Sequence, residues 1–440
     1  MTSLSSLLTI TGGAVAVTIA AYLGSALRGE RRTLFLPGET SPGHRQIEMR
    51  CELCHRESFA SADDIQSACV ECHGDELREA NDSHPRSKFT DPRNAERTAL
   101  LDATRCATCH AEHVPERTGP MGVTLAGDYC ALCHPDIAEE RPSHRGASFA
   151  SCASSGCHNF HDNRALYEDF LVEHAEEPSL LAVARVPERT RIAALGAPLA
   201  AGAHDAPAGV AGVERAVVEW SDTTHARAGV NCSDCHVAGE KPWSETVDPG
   251  ACGRCHDAEL RGFERGRHGM RHAADLSPMQ PARSVLAMRD DASERSLDCA
   301  ACHASHAFDV RRAAVEACLG CHEDDHSRAY PGSPHALAWE KSDGSGVSCA
   351  TCHLPRAANT DGAIQAQHGQ NDNLRPNEKM IRSVCMSCHG LAFSIDALAD
   401  PALIRSNFNG KPRVHVESID WARRRLTAES ESPSHQEEAP

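Results

Sequence analysis

Twenty-two cysteines fall into eleven pairs, and each pair is closed by a histidine. Ten of the eleven read Cys-x-x-Cys-His: Cys51/Cys54/His55, Cys69/Cys72/His73, Cys106/Cys109/His110, Cys130/Cys133/His134, Cys232/Cys235/His236, Cys252/Cys255/His256, Cys299/Cys302/His303, Cys318/Cys321/His322, Cys349/Cys352/His353 and Cys385/Cys388/His389. The other, Cys152/Cys157/His158, has four intervening residues, with small Ser154, Ser155 and Gly156 available to loop out. No cysteine is left over for a disulfide or a catalytic thiol. A zinc or redox Cys-x-x-Cys pair would not require histidine directly afterwards. Covalent haem does, because the two thiols add to the two vinyl groups of one porphyrin and the next histidine lies under the ring as an axial iron ligand. The spacing therefore predicts eleven covalently attached haems c.

Sixteen further histidines remain for these eleven irons, enough for a second axial histidine on each. Two histidines per iron make a low-spin carrier of electrons, whereas an open position marks a site of chemistry. An internal duplication selects the candidates. His44 precedes Cys51 by seven residues, as His225 precedes Cys232. ECHGDELRE after the second motif matches RCHDAELRG in the second half, followed by His84 in one and by His268 or His272 in the other. CATCHAEH and CAACHASH place His113 and His306 three residues past a proximal histidine, a spacing that on a helix puts both on one face, with the second ligating the next haem. His144 matches His335, and His161 and His368 complete the set. His174, His204 and His435 are read as solvent histidines.

The whole chain resembles multihaem cytochromes c. Its first half, in HRQIEMRCELCH and CATCHAEH, resembles the c3/c7-type electron carriers, in which the longer cysteine spacing also occurs. Its second half is similar to the hydroxylamine-oxidoreductase-like octahaem family, over CAACHASHAF, CLGCHEDDH, SPHALAW, SCATCHLPR and VCMSCHG. That second resemblance implies an active haem at Cys299/Cys302/His303, with Asp325 and His326 on its distal side to move protons to or from a bound nitrogen oxide. The other reading of His326 is an iron ligand or a loop residue. The oxidising members also need a cross-linking tyrosine from a C-terminal helix, and Tyr22, Tyr129, Tyr167 and Tyr330 all precede the last motif. An electron relay is thus the favoured function. The alternative is an oxidoreductase acting on a small nitrogen or sulfur compound, of the nitrite, hydroxylamine or tetrathionate class, at one open haem.

The elements that must hold these residues are short. Aromatics make up 4% of 440 residues and hydrophobics 40%, thin for a core of that size, so the porphyrins are expected to form the core. A mostly α fold with extensive loops and few strands follows, with short helices on the motifs. Residues 1–27 carry no charge and are long enough for a transmembrane helix. They read as an uncleaved anchor or a signal, with Gly24-Ser25-Ala26 a weak cleavage site. Arg28, Arg31 and Arg32 would hold the following chain in the cytoplasm, but haem attachment outside the bacterial inner membrane places it in the periplasm. The expected organisation is a five-haem domain over 28–177, an Ala/Pro/Gly-rich linker over 178–224, a six-haem domain over 225–427 and a disordered acidic tail over 428–440. A charge of −18, from 44 basic and 62 acidic residues, excludes a phosphate-binding face and hence nucleic acid. The expected partners are redox proteins: a quinol-linked donor and a periplasmic or outer-membrane acceptor in respiration. The expected location is the inner membrane, single-pass, with the haem domains in the periplasm.

Overall fold

The computed structural model describes residues 4–27, 34–57, 60–79, 84–125, 129–145, 158–162, 166–237, 239, 241–342, 346–359, 361–370 and 379–431. Cys152, Cys157, His435, Arg28, Arg31, Arg32 and the tail from 432 onward lie outside them. The helix Ser418–Glu431 carries the chain past Ala428, where the acidic tail was expected to begin.

The motifs nucleate single helical turns. Helices cover Cys106–Cys109, Cys232–His236, Cys299–His303 and Cys349–His353. Asn231, Asp298 and Ser348 each stand immediately before the first cysteine and accept a backbone N–H at the helix start, the favoured role of such residues. The same turn recurs where the helix is tighter: the amides of His55, His110, His134, His256, His322 and His389 donate to the carbonyl of the first cysteine of their motif at 2.7–2.9 Å. This bond closes one α-turn and sets the two sulfurs, three residues apart, on one side of it.

Short helices carrying whole motifs, as expected from the sequence, are not found everywhere. Cys69 and Cys72 lie inside the long helix Ala62–Glu79, because the residues on both sides of that motif continue the helix. Cys133 and Cys255 depart in the opposite sense. Their helices, Tyr129–Leu132 and Pro249–Gly253, hold only the first cysteine, and each second cysteine lies just past the end. Cys54, beyond Cys51–Leu53, does the same. The amides of Cys54, Cys133 and Cys255 also donate to the carbonyls of Cys51, Cys130 and Cys252 at 3.2, 3.1 and 3.2 Å, so a three-residue turn accompanies the α-turn bond of the following histidine there.

Helix occupies about half of the chain, less than the mostly helical body expected. Among the described residues the remainder is loop, with one two-stranded antiparallel sheet, β1 (Arg356–Ala358) and β2 (Ile364–Ala366), paired Arg356 to Ala366. Long loops stay ordered where their backbone groups find partners. The segment after Pro178 illustrates this. Leu181 and Arg185 donate to the carbonyls of Cys388 and Ser387 at 2.8 and 2.6 Å, Thr190 to Ile364 at 2.9 Å, and Leu199 to Ala226 at 2.9 Å. The Ala/Pro/Gly-rich stretch is therefore laid along the motifs of the second half as a bonded strap.

A conventional apolar core also exists, which the thin composition did not lead us to expect. Leu166, Phe170, Leu171, Ile381, Leu391, Ile395 and Ile419 meet in one buried cluster, drawn from helices Glu168–His174, Lys379–Ser383, Leu391–Ala399 and Ser418–Glu431. It packs directly behind the last motif.

The N-terminal stretch forms the helix Leu4–Leu27, but no helix among the described residues is long and apolar enough to cross a membrane. The expected transmembrane anchor is thus not borne out. From Gly12 on, where its side chains are described, Gly12, Gly13, Thr18, Gly24 and Ser25 dilute the apolar residues. The Thr18 and Ser25 hydroxyls donate back to the carbonyls of Ala14 and Tyr22.

The chain divides into two compact units. One comprises Met1–His73 and Asp102–Ala126, and the other Gly74–Leu101 and Gly127–Pro440. In the first, Gly38 must be glycine, because a Cβ there would collide with the His113 carbonyl. The second holds the strap, the sheet and the apolar core.

Candidate haem-ligation sites

Among the described residues, histidine rings stand near one another in nine pairs, and every pair joins one motif histidine to one histidine from elsewhere. The pairs are His73 with His44, His134 with His84, His158 with His144, His236 with His306, His256 with His225, His303 with His368, His322 with His268, His353 with His326 and His389 with His335. Their centroids lie 5.9–6.3 Å apart. A metal–imidazole bond of about 2 Å places a ring centroid about 3 Å from the metal, so one metal shared by two opposed imidazoles separates the centroids by about 6 Å. The gap fits an iron.

The chemistry of the rings fits as well. Nδ1 lies against a backbone carbonyl in His84 (Phe160, 2.5 Å), His236 (Ser244, 2.6 Å), His326 (Ile404, 2.6 Å), His368 (Ala366, 3.0 Å) and His389 (Ser179, 2.7 Å). A carbonyl only accepts, so Nδ1 carries the proton and Nε2 keeps the lone pair that a metal needs. Burial pushes the pKa of His268, His303 and His353 down to about 4, which keeps these rings neutral and able to ligate at neutral pH. His44 has a carboxylate in the second position: Glu112 Oε1 lies 2.6 Å from its Nδ1.

A cavity of about 540 Å³ opens between the third and fourth motifs of the second half, lined by Ala300, Ala301, Ala304 and Cys321 with Arg295 and Arg312. Its size suits a cofactor. Flat, small-residue walls suit a porphyrin, and the two guanidinium groups suit its carboxylates. Arg312 is held by the Cys302 carbonyl at 3.2 Å and Arg295 by that of Gly320 at 3.4 Å.

Consecutive motifs also touch. The first cysteines of successive motifs lie side by side in Cys69 with Cys106, Cys252 with Cys299 and Cys318 with Cys349.

The attachment cysteines are unevenly covered. Cys51, Cys54, Cys72 and Cys255 are exposed, and Cys109, Cys130 and Cys133 are half-buried.

Several expectations resolve differently from the sequence pattern. His306 faces His236, two motifs back, instead of serving the next haem. The helix on which the spacing argument relied ends at His303: Ala304 (φ 57°) and His306 (φ 65°) are left-handed, and the turn swings the ring backwards. His113, its match, is left-handed too (φ 62°), with Nδ1 2.8 Å from the Gly38 carbonyl. Of the two alternatives after the second motif, His268 faces His322, while His272 lies between the carboxylates of Glu264 (2.9 Å) and Asp248 (3.6 Å). Asp325 and His326 do not lie opposite His303; His368 does. His326 was absent from the expected distal set, although its place four residues past the proximal His322 was a signal for it. Neither His174 nor His204 is a free solvent histidine. His174 packs on Phe170 at 4.3 Å beside Glu177, and His204 is half-buried. His110 is set by the Gly122 carbonyl at 3.2 Å, and His161 is edge-on to Phe160 at 5.2 Å.

Opposed histidines closing repeated Cys-x-x-Cys-His turns define a multihaem electron-transfer cytochrome c. Residues 43–135 match the cytochrome c3 family, which carries covalently bound haem c, and this segment contains the first four motifs and His44, His84 and His113. The match does not extend to the second half, so the hydroxylamine-oxidoreductase-like resemblance is not supported by it. No solved structure matches the chain.

Proposed function

We propose that the chain relays electrons in a respiratory pathway of the periplasm, through eleven covalently attached haems c whose irons are each held by two histidines. The observation that carries this reading is the nine ring pairs at the separation one iron requires. Haem c supplies one-electron transfer when bound. The residues would contribute the rest: carbonyls orient the imidazoles that would hold each iron, and Arg295 and Arg312 would neutralise the carboxylates of a bound haem. On matching positions, His113 serves the haem of His55 as His306 serves that of His236, and His161 keeps the axial role given by its match to His368. A quinol-linked donor and a periplasmic or outer-membrane acceptor fit an acidic chain.

The second-half resemblance placed the open haem of the enzyme alternative at His303, whose ring stands 6.2 Å from that of His368, a separation that favours two histidines on that iron. The test is stoichiometry and spin state together. Iron analysis and denatured pyridine-haemochrome spectra are expected to agree near eleven per chain, and the oxidised protein to be entirely low-spin and unmoved by nitrite, hydroxylamine or cyanide. A high-spin haem at rest that binds nitrite overturns the relay in favour of the enzyme. A count of ten with Cys152 and Cys157 open to alkylation removes the long-spaced site alone.

A further inference from the structure

The loop between the helices Pro401–Arg405 and Ser418–Glu431 holds the single Asn-Gly step of the chain, Asn409 followed by Gly410. Its backbone is anchored on both sides of that step. Before it, the amides of Asn407, Phe408 and Asn409 donate to the carbonyls of Ile404, Leu403 and Ser406 at 3.0, 2.8 and 3.2 Å. After it, the Arg413 amide donates to the Asp400 carboxylate at 2.9 Å. Between these anchors the Gly410 and Lys411 amides have no hydrogen-bond partner among the described residues, and Pro412 has no N–H to give.

An asparagine side chain can close a five-membered ring with the backbone nitrogen of the next residue. A bulky side chain on that residue, or a hydrogen bond holding its N–H, blocks the approach. Neither block exists at Asn409. Asn409 and Gly410 are both exposed, the Gly410 N–H is unbonded, and Gly410 has no side chain to shield its nitrogen. Lys411, exposed directly after it, carries a positive charge that favours loss of the Gly410 amide proton as the ring closes. Asn407 is the opposite case in the same loop. It is 7% exposed, Phe408 follows it, and the Phe408 amide is held by Leu403.

We propose that Asn409 is a site of spontaneous backbone modification, at which the Gly410 nitrogen attacks the Asn409 side-chain carbonyl carbon and expels ammonia. A bond forms between Gly410 N and Asn409 Cγ, the bond from Cγ to the amide nitrogen breaks, and the Gly410 proton leaves with the ammonia. Water then opens the cyclic imide at either carbonyl and gives aspartate or isoaspartate. Only water takes part besides the chain itself, and no electrons are exchanged. Either product places a carboxylate beside the exposed Lys411 and Arg413, and isoaspartate adds one carbon to the main chain between the two anchors.

The test incubates the folded, full-length holoprotein at pH 7 and at pH 8, then denatures it and cuts it with trypsin. Pro412 protects the Lys411 bond, so residues 406–413 are released as one peptide carrying both asparagines. Mass spectrometry is expected to show a gain of one mass unit, placed at Asn409 by fragmentation and divided between aspartate and isoaspartate. The gain is expected to grow about tenfold faster at pH 8 than at pH 7, because the attacking nitrogen must first lose a proton far below its pKa. Asn409→Gln, whose carboxamide is one carbon too distant for the five-membered ring, is expected to lose the gain. The proposal is overturned if the folded protein shows no gain at Asn409 over a time in which the same peptide, made synthetically, reacts. Equal gain at Asn407 also overturns it, as does a gain that persists in Asn409→Gln.

Discussion

Oε1 of Glu112 lies 2.6 Å from Nδ1 of His44, whose ring stands 5.9 Å from that of His73. Burial would raise the Glu112 carboxyl, but hydrogen bonds from His44 and from the amide and hydroxyl of Ser41 outweigh it and hold the carboxyl at about 2. A full negative charge thus backs the His44 imidazole at neutral pH, makes it a stronger donor and favours ferric iron. Glu112→Gln keeps the shape and removes the charge. A potentiometric titration is expected to show one haem rising by on the order of 50 mV, with attachment unchanged. An unmoved titration would separate His44 from any iron.

The reversed direction of His306 gives a second test. Because its ring faces His236 at 6.0 Å, His306→Met is expected to raise the potential of the haem at Cys232 and Cys235 by on the order of 0.1 V and to leave that at Cys318 and Cys321 alone. Nuclear magnetic resonance of the ferric protein, assigned by site, reads which haem moves. A change at the Cys318 site would restore the helical-face wiring and refute the left-handed turn.

What the sequence made legible was chemistry tied to covalent spacing. The cysteine count, the one-turn motif and the matched positions of His44 with His225, and of His113 with His306, are local patterns. The extent of helix around each motif was not legible, because the residues outside the Cys-x-x-Cys string decide it: they prolong the helix through Cys72 and end it before Cys133 and Cys255. Which histidine faces which motif was hidden too, since that depends on the sign of φ at Ala304 and His306, and neither is a glycine that would have marked the turn. The strap after Pro178 escaped for a similar reason: its partners are backbone groups such as the carbonyls of Cys388 and Ile364, which no side-chain pattern records. The buried cluster around Leu391 and Ile395 was missed because low average hydrophobicity concealed a local concentration of it. His326 was read through its acidic neighbours, although Asp325 pairs with Arg328 and turns away.

That cluster sets a stability prediction. Leu391 and Ile395 are fully buried behind the last motif. Leu391→Ala removes three carbons and leaves a cavity, a change that costs about 2–5 kcal/mol in a close-packed core. Denaturant unfolding followed by tryptophan fluorescence is expected to show this loss, with perturbation of the His389 haem first. A cost below about 1 kcal/mol would mean that the helices there are held by haem alone.

The last prediction concerns pH, at a histidine away from every proposed iron. His415 lies between Asp396 (3.1 Å from Nδ1) and Asp420 (3.0 Å from Nε2), tying the helix Leu391–Ala399 to Ser418–Glu431. Both carboxylates stabilise the imidazolium, so its pKa is raised, first by the hydrogen bond to Asp420 and then by that to Asp396. A pKa raised by folding contributes stability that is fully present below the unfolded value of about 6.5 and is lost as pH climbs through the folded one. The side chain is 47% exposed, so solvent screening limits the effect to about 0.5 kcal/mol. Unfolding midpoints compared at pH 5.5 and pH 8.5 are expected to fall slightly with rising pH in the wild type, and His415→Gln, which cannot charge, is expected to reduce that difference. If the variant keeps the whole difference, the loss lies elsewhere and the bridge contributes nothing to holding the two helices together.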